Sequence, residues 1–193
     1  MVRIYANLDQ DSNPGEKIAV ESLQNLPESW LVVANKKIVV SQGRGKYIDR
    51  EIDLIVVGTR KVFVVEVKDW KGTYSGNQTE WINLEHGESR GSPIEQASLN
   101  AKIVASKLKD SFEKLKLLGH FVEELVLLTQ ASDLPSIEDP RKSQVVLLKD
   151  FRFQLEERDK NHHSLSTISK DTSEQIWNWF VDFQEKDVIP GLV

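Results

Sequence analysis

Residues 51–72 read EIDLIVVGTRKVFVVEVKDWKG, and the fold turns on how this stretch pairs with itself. Two apolar runs, Ile52 to Val57 and Val62 to Val67, are dense in β-branched residues and flank the polar linker Gly58-Thr59-Arg60-Lys61. That pattern predicts a strand, a tight turn and a second strand. With Thr59 and Arg60 at the turn, Val57 faces Val62, Ile55 faces Val64 and Asp53 faces Glu66. Directly opposed residues point to one side of a sheet, their Cβ atoms roughly 4.5–5.5 Å apart. Alternation along the second strand adds Lys68 to that side. A bulge would shift the register by one residue and turn Asp53 away.

Two facing carboxylates repel, and these two sit in runs apolar enough to be covered on both faces. A divalent cation between them resolves the conflict, since hard cations such as Mg²⁺ take one or two carboxylates together with water and phosphate oxygens. The residues alone leave a second solution open. Lys68 can neutralise Glu66, and Arg50 or Arg60 can lie near Asp53, making a structural ion-pair group.

The 193 residues are 39% hydrophobic and 28% charged, which suits one domain with its own core. No apolar run approaches the ~18 residues of a membrane span, and the N-terminal MVRIYANLDQDSNPGEK lacks a signal-peptide core. A cytoplasmic location is therefore expected. Cysteine is absent, so disulfides, thiolate catalysis and thiolate-held zinc are excluded. A net charge of −5 argues against a protein that coats nucleic acid by bulk electrostatics. A local basic rim is still available around Lys36, Lys37, Arg44, Lys46 and Arg50, and again at Lys102, Lys107 and Lys109.

Asn13-Pro14-Gly15-Glu16 predicts a helix start, with Asn13 as cap and Pro14 in the first turn, running to about Leu26. Its stripe of Ala19, Val20, Leu23 and Leu26 includes Glu16, which an amphipathic helix would turn inward. Trp30 to Val40 reads as one strand, or two broken near Asn35, followed by the basic, glycine-bearing loop Ser41 to Lys46. Two short strands are expected around Gly76-Asn77. Ser92-Pro93-Ile94-Glu95 has the form of a capping box, opening a long helix to Leu117 or Leu118. Ile94, Ala97, Ala101, Val104, Ala105 and Leu108 make its core stripe, and Gln96 flanks that stripe near the N-terminal end.

Glu124 to Thr129 and Val145 to Leu148 read as further core strands, with a surface loop over residues 130–142 between them. His162-His163 lies in a polar stretch and reads as a surface pair. A last helix, capped at Asp171 to Glu174, runs to about Glu185, and an apolar tail over residues 188–193 suggests further protein beyond it.

The string EIDLIVV…VFVVEVKDWKG, with Asp53 followed across the turn by Glu66-Val67-Lys68, resembles the PD-(D/E)xK phosphodiesterase core. Within that superfamily it is most similar to the NERD (nuclease-related) domain, most clearly over residues 13–118. The resemblance implies an α/β fold with a restriction-endonuclease-like core, a mixed central β-sheet flanked by helices on both faces. It implies hydrolysis of phosphodiester bonds, with Mg²⁺ or Mn²⁺ held by Asp53, Glu66 and the Val67 carbonyl. Gly15-Glu16 matches the family's pair that brings a third acid, directly or through water. Lys68 would position the attacking water or steady developing charge, and Gln96 matches the family's helix glutamine. DNA is the expected substrate, in DNA processing or defence against foreign DNA, with RNA left open. A different class, a nuclease fold that binds nucleic acid or docks a partner without cutting, fits the same string.

Overall fold

The computed structural model describes residues 2–6, 13–43, 46–161 and 168–182. In chain order the first half holds β1 (Arg3–Ala6), α1 (Pro14–Ser22), β2 (Leu31–Gly43), β3 (Lys46–Val57), β4 (Val62–Lys71), β5 (Tyr74–Asn77), β6 (Glu80–Asn83) and β7 (Ser89–Gly91). After these come α2 (Pro93–Ser111), α3 (Glu113–Lys116), β8 (Val122–Gln130), β9 (Ser136–Glu138), β10 (Val145–Leu147), α4 (Phe151–Lys160) and α5 (Lys170–Asp182).

The central sheet has the order β1-β2-β3-β4-β8-β10. β3 and β4 form the expected hairpin, with Val57 opposite Val62 and Ile55 opposite Val64, closed where Gly58 N–H donates to the Lys61 carbonyl at 2.9 Å. β4 continues parallel to β8, and β8 parallel to β10. The β4–β8 connection therefore needs a crossover, which α2 supplies.

Both faces are covered, as the apolar runs require. On one side α1 (Ala19, Val20, Leu23) and α4 (Phe151, Leu155) pack on Val32, Leu54, Val65 and Leu127. On the other, α2 (Ala101, Val104, Leu108) and α5 (Ile176, Phe180) pack on Val33, Ile55, Val64 and their neighbours. The fold is mixed α/β, with a mixed central sheet between helical layers. A smaller sheet, β7-β6-β5-β9, closes over the start of α2 through Tyr74, Trp81, Ile94 and Ala97.

Several local readings need correction. α1 stops at Ser22 rather than Leu26 because the chain tightens, Leu26 N–H reaching the Leu23 carbonyl at 3.0 Å. Trp30 to Val40 is neither cut in two nor finished at Val40: β2 is continuous to Gly43, and the irregularity near Asn35 is a left-handed backbone, φ 53°. The small hairpin turns at residues 78–79, not at Gly76-Asn77, because Asn77 Oδ1 gathers the N–H groups of Thr79 and Glu80. The capping box at Ser92 does not form. Ser92 makes no side-chain cap, and Glu95 is drawn instead to Arg141 at 2.5 Å.

α2 ends at Ser111, where Phe112 is extended, and α3 follows as a separate turn. The surface loop over residues 130–142 contains β9, paired parallel to β5. α5 is capped by Ser169, whose Oγ accepts the Thr172 N–H at 3.1 Å, two residues before the expected Asp171. Arg44, His162-His163 and residues 183–193 lie outside the described residues.

Candidate functional site

The hairpin ladder runs from Val57↔Val62 to Leu54↔Val65 and goes no further, although both strands continue. At the next position the backbone bond is replaced by a side chain: Val67 N–H donates to Asp53 Oδ2 at 2.7 Å. Asp53 and Glu66 therefore meet at a fork between two strands rather than as a regular cross-strand pair. β4 stays paired with β8 through this region, Glu66 beside Val126 and Lys68 beside Leu128.

Glu66 is 1% exposed, while Asp53 and Lys68 are half-buried. Lys68 Nζ donates to Glu66 Oε1 at 2.5 Å. Burial and the neighbouring Glu66 charge push the Asp53 carboxyl up to about 7, against the easing of the Val67 N–H and Lys68. Burial likewise raises Glu66, with Lys68 and Asn100 opposing it. The positive charge beside Asp53 is Lys68's. Arg60 is spent at the far end of the hairpin, donating to the Lys160 carbonyl at 2.9 Å.

Glu16 reaches this cluster from α1, close enough for its charge to raise both Asp53 and Glu66. Gly15 makes that approach feasible. A Cβ there would lie 2.9 Å from Asp69 Cβ and 3.1 Å from Thr129 Oγ1, so only glycine lets the first turn of α1 seat against the ends of β4 and β8. Asp69 and Thr129 are joined there, the hydroxyl donating at 2.6 Å. Glu16 is half-buried and accepts from Asn35 Nδ2 at 2.8 Å. Among the described residues no three acids or histidines come close enough to form a ready-made metal cage. The arrangement is two acids on adjoining strands and a third from α1, all within electrostatic range of one another.

Gln96 is exposed in the first turn of α2. The α2 residue that touches the acids is Asn100, one turn further on, whose Nδ2 donates to Glu66 Oε2 at 3.3 Å. Sequence reasoning missed both Asn35 and Asn100. A signal existed for Asn100, a polar residue set into the stripe of Ala97, Ala101 and Val104. Asn35 stands opposite Asp53 in the β2–β3 register, between Ala34↔Leu54 and Lys36↔Ile52, which only the paired structure reveals.

Of the basic rim, Lys36 is buried and desolvation lowers its pKa, whereas Lys37 and Lys102 are exposed. Trp81 lies in the core. Trp70 is enclosed by Tyr74 stacked at 5.1 Å and Arg90 over its ring at 5.1 Å, so both tryptophans pack.

The donor set fits a hard cation: carboxylates within electrostatic range of one another under burial, an ammonium beside them, and buried amide oxygens on Asn35 and Asn100 with no donor among the described residues. The family model described as the nuclease-related domain, NERD, matches residues 11–129. The chain belongs to the NERD family. This NERD domain places Gly15-Glu16, Asp53, Glu66-Val67-Lys68 and Gln96 within the matched segment. No curated protein matches the chain. Among solved structures it is similar to protein VC1899 from Vibrio cholerae, at 14% identity and a TM-score of 0.32. That match covers 75% of this chain and 32% of the other, so the chain spans about a third of that protein's length.

Proposed function

We propose that this domain is a divalent-metal-dependent nuclease that hydrolyses phosphodiester bonds of DNA. The observation that carries the reading is the fork at Asp53 and Glu66, where two acids are crowded together under burial with Lys68 against one of them. In a NERD-family domain, acids kept short of counter-charge are better explained by a cation than by architecture.

Asp53 and Glu66 would hold Mg²⁺ or Mn²⁺, with the Val67 carbonyl as a further oxygen. Glu16, which shares no three-acid cage with them, would act through water. When bound, the metal supplies Lewis acidity toward phosphoryl oxygens and makes a water acidic enough to attack. The chain's own groups do the rest. Lys68 offers a compact ammonium that can leave Glu66 for the negative charge growing on the phosphoryl group. Gln96, exposed at the start of α2, would orient a water or meet the substrate. A cytoplasmic role in DNA processing or in defence against foreign DNA belongs to this reading, and RNA remains open as a substrate.

A second reading, a module that binds nucleic acid or a partner without cutting, draws on one observation: Lys68 already occupies Glu66 as a close ion pair. Plasmid nicking separates the two. Nicking that requires Mg²⁺ or Mn²⁺ and disappears in Asp53→Ala and Lys68→Ala is expected of the nuclease. Metal-independent retention of DNA with no cleavage would favour the binding module.

A further inference from the structure

We propose that Asn35 and Asn100 are positioning residues of the acid cluster, each turning one carboxylate with its amide N–H and receiving a cation-borne water at its amide oxygen. The inference rests on the metal-centre reading above and adds a hydration shell built by the protein.

Asn100 is 2% exposed on the buried stripe of α2, where an aliphatic residue would pack at less cost. Its Nδ2 holds Glu66 Oε2 at 3.3 Å while Lys68 holds Oε1 at 2.5 Å, so both oxygens of that carboxylate are oriented. Asn35 does the same for the third acid, donating to Glu16 Oε2 at 2.8 Å from the left-handed position of β2. The two amides thus grip the cluster from the helical layer and from the sheet.

Both amides are only half satisfied. Asn35 Oδ1 and Asn100 Oδ1 are buried and find no donor among the described residues. A buried acceptor without a donor is costly, so each carbonyl calls for a water or another donor. Each orphan sits on an amide whose other end touches a site acid, so a water at the edge of the cluster could meet it. Val67 N–H goes to Asp53, and Lys68 Nζ lies on the Glu66 oxygen that Asn100 does not hold. Water on a hard cation meets the need, since Mg²⁺ gives up its hydration reluctantly and keeps several waters when bound.

The test is Mn²⁺ binding by the full chain, with free Mn²⁺ read by electron paramagnetic resonance, for wild type, Asn100→Ala and Asn35→Gly. Glycine at 35 tolerates the positive φ, so that variant removes the amide without straining the backbone. Each substitution is expected to weaken Mn²⁺ binding roughly tenfold or more. The double variant should lose more than either single one but less than their product, because both amides act on one cation. The melting temperature in chelator should stay near wild type in both variants, while the rise produced by Mn²⁺ shrinks. If Asn100→Ala does not fold, Asn35→Gly carries the test alone. Unchanged Mn²⁺ affinity in the folded variants overturns the inference and leaves the metal centre standing. Wild-type protein that takes up no Mn²⁺ overturns both.

Discussion

The β3–β4 hairpin meets an acid at each end, and the two are treated in opposite ways. At the turn, Asp159 of α4 is 3% exposed and accepts the N–H groups of Thr59, Arg60 and Lys61 at 3.1, 2.9 and 2.9 Å, with the Thr59 hydroxyl as well. Gly58 leaves room for it, since a Cβ there would lie 2.5 Å from Asp159 Oδ1. At the open end, Asp53 has the Val67 N–H and then a second acid as its neighbour. A carboxylate supplied with a full set of turn amides is architecture. One left short of donors beside another acid is what the proposed cation would require.

The largest expected effects fall at the open end. Lys68→Ala should take nicking below detection, a loss of at least roughly 10²–10³-fold, the scale of losing a group that stabilises developing charge. Asp53→Ala should abolish metal-dependent nicking in the same assay. Both should leave the fold intact by circular dichroism. At the turn end the sign of the comparison reverses. Asp159→Ala strands the three turn N–H groups and leaves a hole where a buried carboxylate stood, and should cost about 3 kcal/mol in a urea titration, while Mn²⁺ affinity stays at the wild-type level.

A pH series sharpens the contrast. Asp53 has a raised carboxyl pKa in the fold, about 7 against a usual 3.8, so the native state holds that proton more tightly than the unfolded chain. Its contribution to metal-free stability is fully present below pH ~4 and is lost as pH rises toward 7. Asp53→Asn should therefore stabilise the metal-free protein at pH 8 relative to wild type and flatten that part of the pH profile. Saturating Mn²⁺ should remove most of the difference by stabilising only the wild type. The smallest effect is expected at Gly15→Ala. Pushing α1 off Asp69 and Thr129 should cost about 1–2 kcal/mol and slow cleavage by moving Glu16, with the hairpin acids untouched.

What could be read from the chain followed from local chemistry. Dense β-branched runs around Gly58-Thr59-Arg60-Lys61 carried the hairpin and its register, and hence Asp53, Glu66 and Lys68 on one side. The Ser92-Pro93 start and the stripe of Ile94, Ala97, Ala101, Val104 and Leu108 carried α2. The fork itself was not legible, because the register continues on paper past the point where Asp53 trades a backbone bond for a side-chain one. α4 was missed because its core is thin, only Phe151, Leu155 and Asp159 being buried among its charges. Asp159 looks like one more surface acid until a turn about a hundred positions earlier folds onto it. β1 and β7 are short and mostly exposed, so neither has a pattern to read.

The most direct measurement is anomalous diffraction from a crystal soaked in Mn²⁺. A cation shared by Asp53 and Glu66 predicts a peak between their carboxylates, with Lys68 Nζ moved off Glu66 Oε1. No peak at the fork, with Lys68 still seated on Glu66, would make the cluster an ion pair and contradict the metal centre.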